Sequence, residues 1–554
     1  MTISARSAER PAIPLRPPQQ VMRLARMGSF FATRLSFMRV LIRELMTGGW
    51  TITRPRFDLD AEGYGTAVYR LGNGKRSYSL VAFSQHLDPQ DRTDRVIAQA
   101  WDATFALFDG DPTEADIARL GQNVPRQEAG RYLASEIVLC RANKSMRLFE
   151  HIVASLSEGR QPDDAQVLEV GYLMRTTAVY GNGKFGIADR FRIADRPELA
   201  GPFQAEMLAV YLVRLFTLDL VEHVARMRNP AAFVPLAPRL KRFIGIGNAT
   251  GLGMAPFLMT HPKLIANWME MRETALARAR ANAAPDRKRL DVLLARARAH
   301  VAQWRVDDVR QMQRIVDLRA DLGKLAEALP TLAAADQIYR FAERSLGLEA
   351  QELVVSLLIE IDPGSVDDLV PRMAADETLT LDGRMRVGEM LGIIAADYDW
   401  ALAVDCSDPR QRALFWYVSE EKLEPRLGNR HAEPGADLER PFAIAHDIQA
   451  ARDSLLAADP GESIAAFLMR HPDHRHIVRR AQTVHARPYG EIRDNLVADN
   501  CLPIDILRCK LSFFGASKFD PKSDRWTRIT MYQGAPLPED LTSPTADDWC
   551  FPVL

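Results

Sequence analysis

Residues Thr66–Ser84 read TAVYRLGNGKRSYSLVAFS. Two runs of aliphatic, aromatic and β-branched residues flank Gly72-Asn73-Gly74-Lys75. An Asn-Gly step between such runs is a strong hairpin signal, because both residues tolerate the positive φ of a tight turn. The stretch therefore predicts an antiparallel hairpin, Thr66–Leu71 against Ser77–Ser84. A comparable pattern lies near the other end, where Lys510–Phe514 and Trp526–Tyr532 flank a loop rich in Gly, Asp, Pro and Lys. An isolated hairpin is barely stable in water. The two are expected to join into one small antiparallel sheet that brings the chain ends together.

Between these ends the pattern reads as helix. Arg131–Leu156 places Leu133, Ile137, Cys140, Phe149, Val153 and Leu156 near one helical face. Phe203–Arg228 is apolar on nearly every side and is expected to be a buried central helix. Residues 285–330 suggest a helical pair or one rod. Ile315, Leu318, Leu322, Leu325 and Leu329 alternate spacings of three and four there, a short seam that could pack within the chain or across a homodimer. Shorter helices follow over Leu332–Leu402, broken at Pro363-Gly364. The fold expected is mainly α (α+β): a large helical body with a small antiparallel β-sheet built from N- and C-terminal hairpins. Its expected segments are a disordered tail (1–20), an amphipathic helix and linker (21–60), a helical domain carrying the first hairpin (61–284), the long helix or pair (285–330), a second helical region (331–500) and the C-terminal hairpin and tail (501–554).

Composition narrows the function classes. The 554 residues are 47% hydrophobic and 26% charged, with a formal net charge of −1, which gives a globular chain without the basic excess that nucleic-acid binding requires. Five scattered cysteines without CxxC spacing fit a reduced, cytoplasmic protein. Val21–Met46 carries five arginines among apolar residues. Those charges exclude a bilayer-spanning helix and leave two readings, a helix docked on the core or one lying on a membrane surface.

Candidate chemistry sits at several places. The sequence TAVYGNGKFG (Thr177–Gly186) echoes the hairpin turn but follows a run that reads as helix, so Gly181 and Gly183 are expected to end that helix. Lys184, with Arg175, Arg190 and Arg192 nearby, makes a candidate anion site. In FIGIGNATGLGMAPF (Phe243–Phe257), Gly245, Gly247 and Gly251 miss the dinucleotide fingerprint by one residue. They remain candidate cofactor-binding positions for a nicotinamide or flavin, or else a tight turn into a helix. Asp219 and His223 are i,i+4 neighbours on the central helix, the spacing at which a carboxylate can orient an imidazole for acid/base work or form a structural pair. Arg426 and Arg430, in the charged run Phe415–His431, offer fork-shaped donors for carboxylate or phosphate. Six of the eleven histidines lie between 431 and 485, but without HExxH or i,i+4 spacing no metal is assigned.

The leading expectation is a soluble enzyme acting on a small anionic metabolite, with Asp219 orienting His223 and with Lys184 and Arg175 holding the anion. The alternatives are a helical scaffold assembling through the 315–329 seam and a nucleotide-dependent oxidoreductase.

Overall fold

The computed structural model describes residues 13–85, 101–125, 133–176, 193–251 except 194 and 200, 262–374, 379, 381–405, 407, 417–419, 424–426, 440–441, 444–493, 505–523 and 526–554. The chain divides into two compact units that interleave along the sequence: one comprises residues 1–35, 252–298 and 309–510, the other 36–251, 299–308 and 511–554.

The second unit is organised by a sheet much larger than two hairpins predict. Its strands are β1 (Thr51–Leu59), β2 (Gly65–Gly72), β3 (Ser77–Ser84), β4 (Ala103–Asp109), β5 (Glu136–Lys144), β6 (Tyr172–Thr176) and β7 (Gly245–Gly251). Three short strands, β8 (Tyr417–Ser419), β9 (Glu424–Arg426) and β10 (Arg440–Pro441), belong to the first unit, and the sheet is completed by β11 (Lys518–Ser523) and β12 (Trp526–Met531). The order is β1-β2-β3-β4-β5-β6-β7-β12-β11. Every neighbouring pair is antiparallel except β6 and β7, which run parallel.

The expected hairpin is present. Gly74 has φ +80°, and Asn73 Oδ1 accepts the N–H groups of Lys75 and Arg76, both at 3.0 Å. The helical body with a small two-hairpin sheet is nevertheless overturned, because the sheet has nine strands and β5 to β7 come from stretches that read as helix or turn. The physical reason lies in β2–β5. Ala67, Tyr69, Leu80, Ala82, Phe105, Leu107, Val138 and Cys140 share one face by register, and the central helix Gln204–Arg228 packs on it through Phe216, edge-on to Phe105 at 5.4 Å. On the opposite face Val68, Val81, Phe83, Ala106 and Phe108 form a core with Ile117, Leu120 and Val124, delivered by the capped helix Glu114–Asn123. Strands buried on both faces lose the clean apolar–polar alternation and become indistinguishable from buried helix by pattern alone. Thus Arg131–Leu156 is β5 followed by the helix Phe149–Ser157. Lys510–Phe514, expected as a strand, closes the helix Asp505–Phe514 instead, and β11 begins after it.

The central helix itself matches expectation: it has no Gly or Pro across 25 residues and stops at Asn229. Arg214 lies inside this helix with 0% exposure. Its guanidinium donates to five backbone carbonyls, those of Ile244 (2.8 Å), Lys241 (2.9 Å), Arg242 (3.0 Å), Ala535 (3.1 Å) and Pro536 (3.3 Å). Burial pushes its pKa down to about 10, so it stays charged at neutral pH. Tyr211 donates to Pro536 O as well, and Tyr532 to Met207 O, both at 2.8 Å.

The first unit is helical, with the small sheet β10-β8-β9. The seam residues Ile315, Leu318, Leu322, Leu325 and Leu329 are all buried within it, where the helix Val309–Ala328 packs on Leu348–Ile361. The seam is therefore used inside the chain. Arg16, which falls in the stretch expected to be a tail, is 5% exposed and clamps Glu273 and Glu352, each at 2.7 Å. Arg272 and Arg26 complete the cluster on Glu352 at 2.6 and 2.8 Å. Burial opposes ionisation of Glu352, but the three guanidiniums outweigh it and hold its carboxyl below the usual range. Of Val21–Met46, the residues Val21, Met22, Leu24 and Met27 are buried in this unit, and Phe37, Met38, Leu41 and Ile42 in the other. Its apolar side chains are thus covered by protein. No described helix is long and apolar enough to cross a membrane.

His300, 5% exposed in the second unit, has both ring nitrogens facing carbonyls: Nδ1 to Pro552 O at 2.7 Å and Nε2 to Ser517 O at 3.0 Å. A neutral imidazole can donate to only one of them. Burial nonetheless prevails over the two carbonyls and pushes the pKa down to about 4.

Two expectations follow for stability. Arg214→Met takes the guanidinium donor from five carbonyls, of which, among the described residues, only that of Pro536 keeps another side-chain donor, Tyr211, and is expected to lower the urea-unfolding free energy by at least about 3 kcal/mol. For His300, the unfolded ring takes up its proton near pH 6.5 and the folded one near 4, so stability falls as pH drops through that window. Between pH 6.5 and 4.5, wild type should lose about 2 kcal/mol more than His300→Gln in paired urea titrations.

Candidate functional site

The central helix carries most of the candidate chemistry, but each polar residue on it is bound to a different neighbour. Asp219 Oδ2 accepts from the Tyr69 hydroxyl at 2.6 Å and pairs with Arg54 at 2.8 Å. Burial, reinforced by the Asp219 charge, pushes the Tyr69 pKa well up. One turn on, His223 meets the carbonyl of Asp60 through Nε2 at 2.8 Å and stands edge-on to Phe57 at 5.5 Å, while Arg54 lies 4.3 Å from the same ring centroid. Between them, Glu222 accepts from Leu236 N–H at 2.7 Å and pairs with Lys241 at 2.8 Å. The i,i+4 spacing thus places Asp219 and His223 on one face without joining them, because residues of the β1–β2 hairpin occupy both.

The glycines of 245–251 have a packing explanation. Gly245, Gly247 and Gly251 lie along strand β7, with Gly247 opposite Thr530 and Gly251 opposite Trp526 of β12, and do not form a turn into a helix. A Cβ on Gly245 would come within 2.3 Å of Met531 O, and one on Gly247 within 2.6 Å of the Tyr172 ring. Close approach of strands requires their lack of a side chain.

The helix expected to end at Gly181 or Gly183 spans Asp164–Val170 and ends at Gly171, whose φ is +78°. Lys184, Arg190 and Arg192 lie outside the described residues. So does Arg430, and of Arg426 only its place at the end of β9 is described. Arg175 sits on β6 opposite Asn143.

In the histidine-rich region, His476 pairs with Asp447 (3.0 Å), His485 with Asp397 (2.8 Å) and His474 with the Ser454 hydroxyl (2.9 Å), while His471 stacks on Phe467 at 4.7 Å. Among the described residues, no three potential metal ligands converge.

The site that sequence reasoning missed lies at the C-terminal end of the central helix. A cavity of about 530 Å³ opens there. Val224, Met227 and Arg228 of the helix form one wall, and Phe149 and Glu150 of the helix Phe149–Ser157 another. Ala61 and Glu62 of the β1–β2 turn, Asp102 before β4, and Lys144, Ser145 and Met146 at the end of β5 complete it. Lys144 follows Val138, Cys140 and Ala142 in the period-two order of the strand, so it occupies the sheet face covered by the central helix. Arg175, paired with Asn143 and so one step out of phase, faces the other way.

The ammonium of Lys144 lies 5.0 Å from the Phe149 ring centroid and 5.6 Å from that of Tyr64, within cation–π range. It forms no ion pair among the described residues. Arg228, in contrast, is neutralised by Glu150 at 2.5 Å. Met146 is 96% exposed and Met227 46%, which leaves apolar surface in water at the cavity's edge. A strand reading of EIVLCRANK would have marked Lys144, since a lysine at an inward position of a buried strand is anomalous. The helical reading of Arg131–Leu156 concealed it.

Comparison with protein-family models, with curated proteins and with solved structures gives no match to this chain.

If the glycines serve strand packing, Gly247→Ala should lower the unfolding free energy by about 1–3 kcal/mol through overpacking against Tyr172. An unchanged urea midpoint would remove that explanation.

Proposed function

We propose that the second unit binds a small anionic metabolite in the cavity at the end of the central helix, with Lys144 as the anchor. The observation that supports this is an ammonium at a concave site, within cation–π distance of two aromatic rings and without a described carboxylate partner. Concave, largely apolar sites with a few oriented polar groups are the usual form of small-molecule sites. A lysine there acts as a point charge for carboxylate or phosphate. The rings lie beside the ammonium without neutralising it, so an anion entering the cavity meets a full charge.

Within this reading the anion site expected at Lys184 and Arg175 is assigned to Lys144, and acid/base chemistry by an Asp219–His223 pair is dropped. The reading is one of binding. His223 keeps Nδ1 free of described partners, and it borders Val224 of the cavity wall in sequence, but its Nε2 is committed to Asp60.

The test uses the full chain with two probes, 3-phenylpropionate and phenyl phosphate, in calorimetric titrations. Lys144→Met preserves the length of the side chain and removes its charge. It should weaken binding of whichever probe the wild type accepts by about tenfold or more, the worth of one charge-assisted contact, with the melting temperature of the free protein unchanged. Equal affinities for wild type and variant would refute the anchor.

A further inference from the structure

We infer that the ligand of this cavity is a zwitterion with an apolar body, an α-amino acid or a compound of like charge layout; the inference rests on Lys144 being the anion anchor. Charges of both signs line the cavity, and only some of them neutralise one another. Glu150 and Arg228 pair off at 2.5 Å. That leaves Lys144 and two carboxylates, Asp102 and Glu62, in the lining with no ion pair between them among the described residues.

Asp102 is fixed in place. Its Oδ2 accepts the backbone N–H of Lys144 at 2.7 Å, and its own N–H donates to Asn143 Oδ1 at 3.0 Å. Its Oδ1 has no described partner. Glu62 is exposed, and its carboxylate likewise accepts from no described group. No ion pair joins Lys144 to either, although all three line the same cavity.

Mobile opposite charges sharing a small cavity would normally close on each other. Here Lys144 is placed by its strand position, within cation–π distance of two rings, and Asp102 is held by backbone hydrogen bonds, and the two side-chain charges form no ion pair. A purely anionic ligand on Lys144 would bring a second negative charge towards Asp102, a like-charge approach that opposes binding. A ligand carrying an ammonium as well as a carboxylate answers both of these unpaired charges. The exposed thioethers of Met146 and Met227 supply an adaptable apolar edge for its body.

Three probes with one shared body separate the possibilities on the full chain: L-phenylalanine (zwitterion), 3-phenylpropionate (anion only) and 2-phenylethylamine (cation only). Wild type should bind phenylalanine about tenfold or more tightly than either partner compound. Lys144→Met should reduce phenylalanine to the level of 2-phenylethylamine. Asp102→Asn, which retains an oxygen for the Lys144 N–H, should reduce it to the level of 3-phenylpropionate. If 3-phenylpropionate binds wild type as well as phenylalanine does, and Lys144→Met abolishes both, the zwitterion inference falls while the anchor stands. Binding that Lys144→Met leaves untouched overturns both. Failure of all three probes to bind at millimolar concentration overturns the zwitterion inference.

Discussion

A guanidinium buried without a carboxylate is the constraint on which the second unit depends. Arg214 gathers carbonyls from the segment before β7 and from the segment after β12, and so ties the central helix to both strands that complete the sheet. The usual partner for a buried cation is an acid. Five carbonyl dipoles perform that role here, and they do so only while both segments are in place. The arrangement works as a cooperative lock: removing either segment leaves a desolvated charge with too few acceptors. The bidentate contact of Arg242 with Asp540, at 2.6 and 2.7 Å, fastens the same two segments nearer the surface.

The first unit solves a similar problem in the opposite way. There the buried guanidiniums of Arg16 and Arg272 meet carboxylates, Glu273 and Glu352, in a fully desolvated cluster. Such clusters confer specificity of arrangement more than net stability, and this one secures residues that sequence reading assigned to a tail.

How much was legible in the sequence depended on whether a feature was local. The Asn73-Gly74 turn, the uninterrupted central helix and the break at Pro363-Gly364 all rest on residues a few positions apart, and each is found where expected. The sheet was not legible. Its middle strands are covered on both faces, and β7 joins β6, which ends at residue 176, to β12, which begins at residue 526. The glycines at 245 and 247 showed a need for close backbone approach, but not that the approaching group would be a neighbouring strand. Asp219 and His223 were correctly placed on one helical face, yet their partners, Tyr69 and the Asp60 carbonyl, come from a hairpin whose docking the helix does not encode. Lys144 was hidden by a mistaken period.

The order of strands also bears on how the chain is made. β7 ends at residue 251, and its antiparallel neighbour β12 begins at 526. During synthesis, one edge of β7 waits for a partner while most of the first unit's residues emerge. An unpaired strand edge of this kind invites pairing with other chains, and closing so long a connection slows folding. Most of the intervening residues, 252–298 and 309–510, fold into the first unit together with residues 1–35, so β7 meets β12 only after the last segment of that unit has been made.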